Sequence, residues 1–408
     1  MADPALTLSP GPVCRTQRVV LPGGERTWTV VDREHRVVAA AEQYLEYLRM
    51  LGRSPNTVKS YARALGLWWQ FLDVYELAWD AVTIEDLGRF LGWLRSDDEP
   101  GLASIERRPA RFSEGTVALR LQAVCSLYRY HHFNGVEAAS RLYERGFSGR
   151  HAYKPMLEHL ARRRGHERRV VRVSRPRPAI PPTLTPEQVR LILDACASWD
   201  SAAREWSGSV RDRLLWALLA ESGMRLGEAL AIKHRDWHTG LGDTPFVEVV
   251  PREDHPHGLR VKNGGYRRIY ISDELDRLYG EYLWWLCDAG ADEAVGDLDS
   301  WWVFVNLARE PRFSPLRAET VAWQVRRLRR RFPDQLPAGF TPHWLRHTHA
   351  TALLLSGIAE HVVSRRLGHL DIQTTQNLYG WVSEDAQQRT VAQWQQLTAA
   401  WRTGEPRR

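Results

Sequence analysis

The stretch TPHWLRHTHATALLLSG, residues 341–357, governs how this chain is read. Pro342 suits the first turn of a helix, where its missing N–H costs nothing. His343 and Arg346 are three residues apart and so share one helical face. His347 and His349 follow on the same helix. A histidine cluster raises zinc first, because His343 and His347 at i,i+4 could present two imidazoles to one ion. Arg346 would then lie beside the cation, and no glutamate stands where a zinc hydrolase needs its base. No metal is expected here.

Two further stretches carry chemistry. In ESGMRLGEAL, residues 221–230, Arg225 sits at a glycine-containing turn that opens a helix, and Glu228 follows three residues on. Alone, such a pair reads as a structural ion pair. In RRLGHLDIQTTQNLYGWV, residues 365–382, His369 follows a Leu-Gly turn and Tyr379 lies ten residues later. The triplet HRD at 234–236 also occurs in kinases, but no glycine-rich phosphate loop precedes it, so that reading is discarded.

Taken in order, Arg225, His343, Arg346, His369 and Tyr379 are separated by 118, 3, 23 and 10 residues. This set, with its local contexts, resembles the tyrosine recombinases of the phage integrase family. RSPNTVKSYARAL, residues 53–65, is similar to the start of the second helix in that family's core-binding domain. The resemblance spans about residues 36–402. It implies a catalytic lysine on a β-hairpin, and GLRVKNGGYRR offers Lys262 in the matching place. It also implies double-stranded DNA as partner, a 3′-phosphotyrosine intermediate, no cofactor, and four protomers exchanging strands at paired sites. The opening WTVV…YLEYL leans towards transposon-encoded members.

Elementary chemistry assigns the same roles. Attack on a phosphodiester builds negative charge on the phosphoryl oxygens, and planar guanidiniums such as Arg225 and Arg346 clamp it bidentately. The phenol of Tyr379, with an ordinary pKa near 10, must lose its proton as it attacks. His343 is the candidate to accept or steer that proton, and His369 to make a further phosphate contact. Lys262 can protonate the leaving 5′-oxygen, where an arginine could not readily do so. Glu228 orients Arg225 from behind.

Apolar periodicity supplies the architecture. Residues 37–51, 57–74, 87–94 and 115–133 read as four helices, and Thr83 with Asp86 forms an acidic capping box before the third. These make an α-helical, SAM-like core-binding domain over residues 31–150. Residues 1–30 read as an extension with one strand. After residue 183, Thr185, Pro186 and Gln188 mark a strong helix start. Helices are expected at 210–221, 226–232, 273–286, 319–331, 343–355, 359–366 and 384–401. Strands are expected at 246–250, 258–262 and 267–271, the last two joined as a hairpin through NGGY. The fold class is therefore mainly α with a small antiparallel sheet, the second half being a mixed α/β catalytic domain over 183–408.

Charge is concentrated between the halves. The chain carries a formal net charge of +7, and Arg162–Arg177 alone holds eight arginines against Glu167, enough to account for all of it. Prolines 176, 178, 181 and 182 favour an extended linker over 151–182. Arg162, Arg163, Arg164, Arg168, Arg169 and Arg172 are candidate backbone contacts to DNA, together with Lys59 in the helical domain; the competing reading is a solvated linker. The chain has four lysines, Lys59, Lys154, Lys233 and Lys262, beside 52 arginines, which fits a GC-rich genome. A lysine kept at position 262 then points to a need for its titratable ammonium.

Composition excludes other classes. With 408 residues, 43% apolar and 26% charged, the chain is ordinary globular protein of two or three domains. No apolar run is long enough to span a bilayer, and the opening residues carry no secretory pattern. Cys14, Cys125, Cys196 and Cys287 are too scattered for a disulfide or zinc framework, which fits a reducing cytoplasm. His234, His238, His255, His257, His347 and His349 are expected to be structural, as is Trp381. The stripe Val391, Trp394, Leu397 and Trp401 either caps its own domain or docks on a neighbouring protomer. The function expected is site-specific DNA recombination. A topoisomerase using the same tyrosine chemistry and a non-catalytic DNA-binding regulator are the alternatives, and the intact residue set argues against the second.

Overall fold

In the computed structural model, polar residues ahead of apolar runs close onto the backbone of the next turn. The Ser54 hydroxyl accepts from the Thr57 N–H at 3.2 Å, opening the helix Pro55–Val74. Thr83 and Asp86 satisfy each other's N–H groups at 3.0 and 3.3 Å, opening the helix Ile84–Arg95. Thr185 and Gln188 form the full reciprocal box at 3.0 and 3.2 Å before the helix Pro186–Cys196. Each such cap contributes about 1 kcal/mol. The structure describes residues 14–24, 26–95, 111–136, 143–145, 167–169, 181–259, 261, 265–369 and 375–376. The chain divides into two units, Met1–Arg177 and Pro178–Arg408.

The first unit holds β1 (Arg15–Val20), β2 (Arg26–Val31), α1 (Ala39–Met50), α2 (Pro55–Val74), α3 (Ile84–Arg95) and α4 (Glu114–Phe133). Its core is aromatic: Trp68, Phe71, Phe90 and Tyr128 are all fully buried. Burial of the indole N–H is compensated, since Trp68 Nε1 donates to the Tyr128 hydroxyl at 3.2 Å. That hydroxyl in turn donates to the Trp79 carbonyl at 2.7 Å. The first residues are more than a tail with one strand. β1 and β2 pair antiparallel, Arg15 opposite Val31, and Val30 enters the bundle core. Within residues 151–182, β4 (Glu167–Arg169) pairs antiparallel with β3 (Tyr143–Arg145).

The second unit runs α5 (Pro186–Cys196), β5 (Ala197–Asp200), β6 (Glu205–Gly208), α6 (Val210–Ser222), α7 (Leu226–Leu230), β7 (Trp237–His238), β8 (Phe246–Val249), β9 (Arg267–Tyr270), α8 (Asp273–Asp288), α9 (Ala291–Val295), α10 (Ala318–Arg331), α11 (Pro342–Leu355) and α12 (Glu360–Leu367). Helix α6 sits centrally, packed by α5, α8 and α11. Its Trp216 is fully buried, with Nε1 donating to Gln324 of α10 at 3.2 Å.

The expected hairpin is described only in part: β9 pairs with β8, Val247 opposite Ile269, and residues 260 and 262–264 lie outside the described residues. Residues 258, 259 and 261 are outside any strand. Strand β8 already offers a matched apolar face, and β7 pairs on its other edge. The β5–β6 hairpin carries no hairpin signal in the sequence; Trp199 and Trp206 face each other across it at 5.5 Å between ring centres. Lys262, Tyr379, Trp381 and the expected helix at 384–401 lie outside the described residues. Among the described residues, no helix is long and apolar enough to cross a membrane.

Candidate active site

The turn between α6 and α7 builds the first part of the site. Gly223 ends α6 in the left-handed conformation, φ 64°. Any side chain there would be strained and would also meet His349, whose Cδ2 lies 2.7 Å from an ideal Cβ. The chain then turns through buried Met224 and starts α7 at Arg225. Arg225 is bound twice by Glu228: its backbone N–H donates to Oε2 at 3.0 Å and Nη1 donates to Oε1 at 2.8 Å. Glu228 is 2% exposed. Burial pushes its carboxyl upward, but the guanidiniums of Arg267 and Arg225 and the Arg225 N–H outweigh this and hold it below the usual carboxylate range.

Helix α11 supplies the second part. Arg346, 2% exposed, donates through Nη1 to the Gly223 carbonyl and through Nη2 to the Leu367 carbonyl, both at 2.8 Å. These carbonyls lie at the C-terminal ends of α6 and α12, where helices leave acceptors unsatisfied and carry partial negative charge. The two acceptors fix the guanidinium without neutralising its formal charge. One turn earlier, His343 sits at the surface. Partial desolvation and the nearby Arg346 and Arg225 charges lower its pKa, so it is neutral at pH 7.

Gly368 ends α12 at φ 67° and hands the chain to His369. Desolvation, with the charges of Arg346, Arg225 and Arg267, drives His369 down to about 4. Its Nδ1 is 2.8 Å from the hydroxyl of the fully buried Thr375. With Thr375 donating, Nε2 carries the proton and can donate to an anion. Three separate segments thus bring two guanidiniums and two neutral imidazoles within electrostatic reach of each other.

Residues 182–384 match the phage integrase family, and residues 41–132 match the N-terminal SAM-like domain of phage integrases. The chain belongs to the phage integrase family, the tyrosine recombinases. These enzymes break and rejoin DNA strands. The recombinase is 29% identical over 361 residues to transposase A from transposon Tn554 of Staphylococcus aureus, covering 88% of this chain and 91% of that protein. Its fold is that of the XerH site-specific recombinase bound to palindromic difH substrate (TM-score 0.54, 17% identity, 86% and 82% of the two chains). It is also that of the Tn1549 transposon integrase in complex with transposon right-end DNA (TM-score 0.53, 15% identity, 86% and 99%).

Of the residues singled out in the recombinase sequence, Arg225, Glu228, His343, Arg346 and His369 come together. Lys262 and Tyr379 lie outside the described residues, as do Arg162, Arg163, Arg164 and Arg172. Arg168 and Arg169 fall on β4. Lys59 is half-buried, its ammonium 4.8 Å from the centre of the Trp28 ring, so it packs the N-terminal hairpin onto α2. Of the histidines expected to be structural, His234 Nδ1 contacts the Tyr279 hydroxyl at 2.9 Å, and His349 accepts from Arg366 Nε at 3.0 Å. Among the described residues, no group of three or more His, Cys, Asp or Glu is placed to hold a metal.

One member of the recombinase site was missed. Arg267, at the start of β9, donates through Nη2 to Glu228 Oε2 at 2.6 Å and through Nε to the Arg366 carbonyl at 3.0 Å. In a chain with 52 arginines nothing local distinguishes it. Its place five residues after Lys262 was the available signal.

Proposed function

We propose that this recombinase moves a mobile element between specific DNA sites, through a covalent link between Tyr379 and the DNA 3′-phosphate. The observation that carries this is the joint anchoring of Arg225 and Arg346 around the Gly223 turn, the former on α7 and the latter on its carbonyl. Two fixed guanidiniums, flanked by neutral His343 and His369, suit the equatorial oxygens of a pentavalent phosphate. Tyr379 follows His369 by ten residues and is the nucleophile. His343, neutral at pH 7, takes the phenolic proton. His369 donates from Nε2 to a phosphoryl oxygen. Lys262 protonates the leaving 5′-oxygen.

The energy of the broken phosphodiester stays in the phosphotyrosine, so rejoining needs no cofactor. The likeness to a Tn554 transposase supports transposition as the setting. The protein acts on double-stranded DNA as a tetramer in the bacterial cytoplasm, its 151–182 linker running along the backbone between the two domains.

A nicked suicide substrate carrying the element ends tests the reading. Tyr379→Phe should still bind this DNA and form no covalent complex; a persistent adduct would move the nucleophile elsewhere. Lys262→Ala should be slow on ordinary DNA and largely restored when the leaving oxygen is replaced by sulfur, which departs without a proton. Absence of that rescue removes Lys262 as the acid.

A further inference from the structure

We infer that Arg267 is a positioning residue for strand cleavage, one that keeps Arg225 aimed and its charge available to a phosphate by sharing Glu228 with it. The inference rests on the reading of Arg225 as a phosphate clamp. Glu228 has two oxygens and two guanidinium partners: Oε1 takes Arg225 Nη1 at 2.8 Å and Oε2 takes Arg267 Nη2 at 2.6 Å. The Glu228 and Arg267 side chains are 1% and 10% exposed, whereas Arg225 is 23% exposed and so keeps a face for a ligand.

The three groups sum to one positive charge. Without Arg267 a buried carboxylate would face Arg225 alone, and the pair would be formally neutral. Arg225 could then no longer offer full charge to a phosphate, because its N–H groups and its field would be spent on Glu228. A second contact fixes direction: Arg267 Nε donates to the Arg366 carbonyl in the last turn of α12. Its guanidinium also lies under Gly368, where an ideal Cβ would come within 2.7 Å of Nη1. One side chain therefore ties β9, the start of α7 and the turn that carries His369. The strand it stands on begins five residues after Lys262.

The test compares covalent-complex formation on two suicide substrates, one with the natural scissile phosphate and one with a methylphosphonate there. The methyl group removes the oxygen charge that a guanidinium clamp neutralises. Arg267→Gln should slow cleavage of the natural phosphate about 10- to 100-fold, the usual scale for a supporting residue, with DNA binding retained. On the methylphosphonate it should lose little. Arg267→Lys, which restores charge without the three-point reach, should recover part of the rate.

Equal losses on both substrates would make Arg267 merely structural, and no loss on either would remove it from the site. If Arg267→Gln does not fold, the double variant Arg267→Gln, Glu228→Gln removes the stranded buried charge and is run on the same pair. By the same charge sum that double variant leaves Arg225 its single positive charge, so the phosphate-specific loss should largely disappear; a phosphate-specific loss as large as that of Arg225→Gln would overturn the inference. Arg225→Gln serves as control. If it shows no phosphate-specific loss, the clamp reading fails. If it does and Arg267→Gln does not, only the inference about Arg267 fails.

Discussion

The two halves bury different things. Among the described residues of the first unit, the buried polar side chains are Thr27, Thr29, Asp86 and His131, around a core of stacked aromatic rings. In the second unit Glu228, Lys233, His234, Asp236, His255, Arg346 and His347 are all buried. Burying ions costs several kcal/mol each, and replacing a buried ion pair with packed apolar groups is often stabilising. The helical unit is therefore optimised for packing. The catalytic unit gives up stability to hold charges in place.

The sharpest way to break this contrast is to delete one keystone in each unit. Trp68→Ala leaves a large cavity and should cost the helical unit about 3–5 kcal/mol, while DNA already bound is still cleaved. Glu228→Ala strands two guanidiniums and should cost the catalytic unit a similar amount, about 3–5 kcal/mol, and abolish cleavage as well. Amide exchange during denaturant titration, read on peptides from α2 and α11, separates the two. Loss of cleavage in Trp68→Ala equal to that in Glu228→Ala would erase the distinction.

Acid should expose the same difference. His347, His349 and His369 fall from an ordinary 6.5 to about 4, burial being the first cause in each case. Between those values the unfolded chain binds more protons than the folded one. The stability these groups contribute is thus complete above pH 6.5 and is lost progressively as pH falls towards 4. Glu228, held below its ordinary 4.5, adds a further loss as pH falls through its lowered value. Protection of α11 amides should accordingly decline across pH 6.5 to 4; protection that is flat over this range would contradict the buried neutral imidazoles. The lowered pKa of His343 also puts the acid limb of the cleavage rate below pH 6.5.

The smallest effect expected is on affinity alone. Neutralising several of Arg162, Arg163, Arg164 and Arg172 should flatten the salt dependence of DNA binding, by about one unit of slope for each arginine–phosphate pair removed. Cleavage of saturated complexes should be unchanged. A change in site preference would mean that these side chains read bases and do not merely track the backbone.

Helix starts were legible because their causes are local. Thr83 and Thr185 reach N–H groups only three residues away, and the apolar spacing behind them is regular; the helix expected from 57 instead starts at Pro55, capped by Ser54. Strand pairing was legible only in part. The run at 267–271 is visibly β-prone, but the partner it takes is β8, with Val247 opposite Ile269, a pairing that register across the intervening segment sets. The N-terminal hairpin was half seen because β1, with its largely exposed pattern, lacks a buried face of its own.

The sequence by itself determined which chemical groups this recombinase possesses and in what order: two arginines, two histidines and a glutamate whose spacings the fold respects. Only the tertiary structure decided how their charges are balanced. Arg267 is one arginine among 52 until β9 brings it against Glu228 and Gly368, and Arg346 gains its direction from carbonyls 123 and 21 residues away. Spacing along a helix fixes neighbours three or four residues apart. The compensation of a buried charge depends on whatever the rest of the chain places beside it.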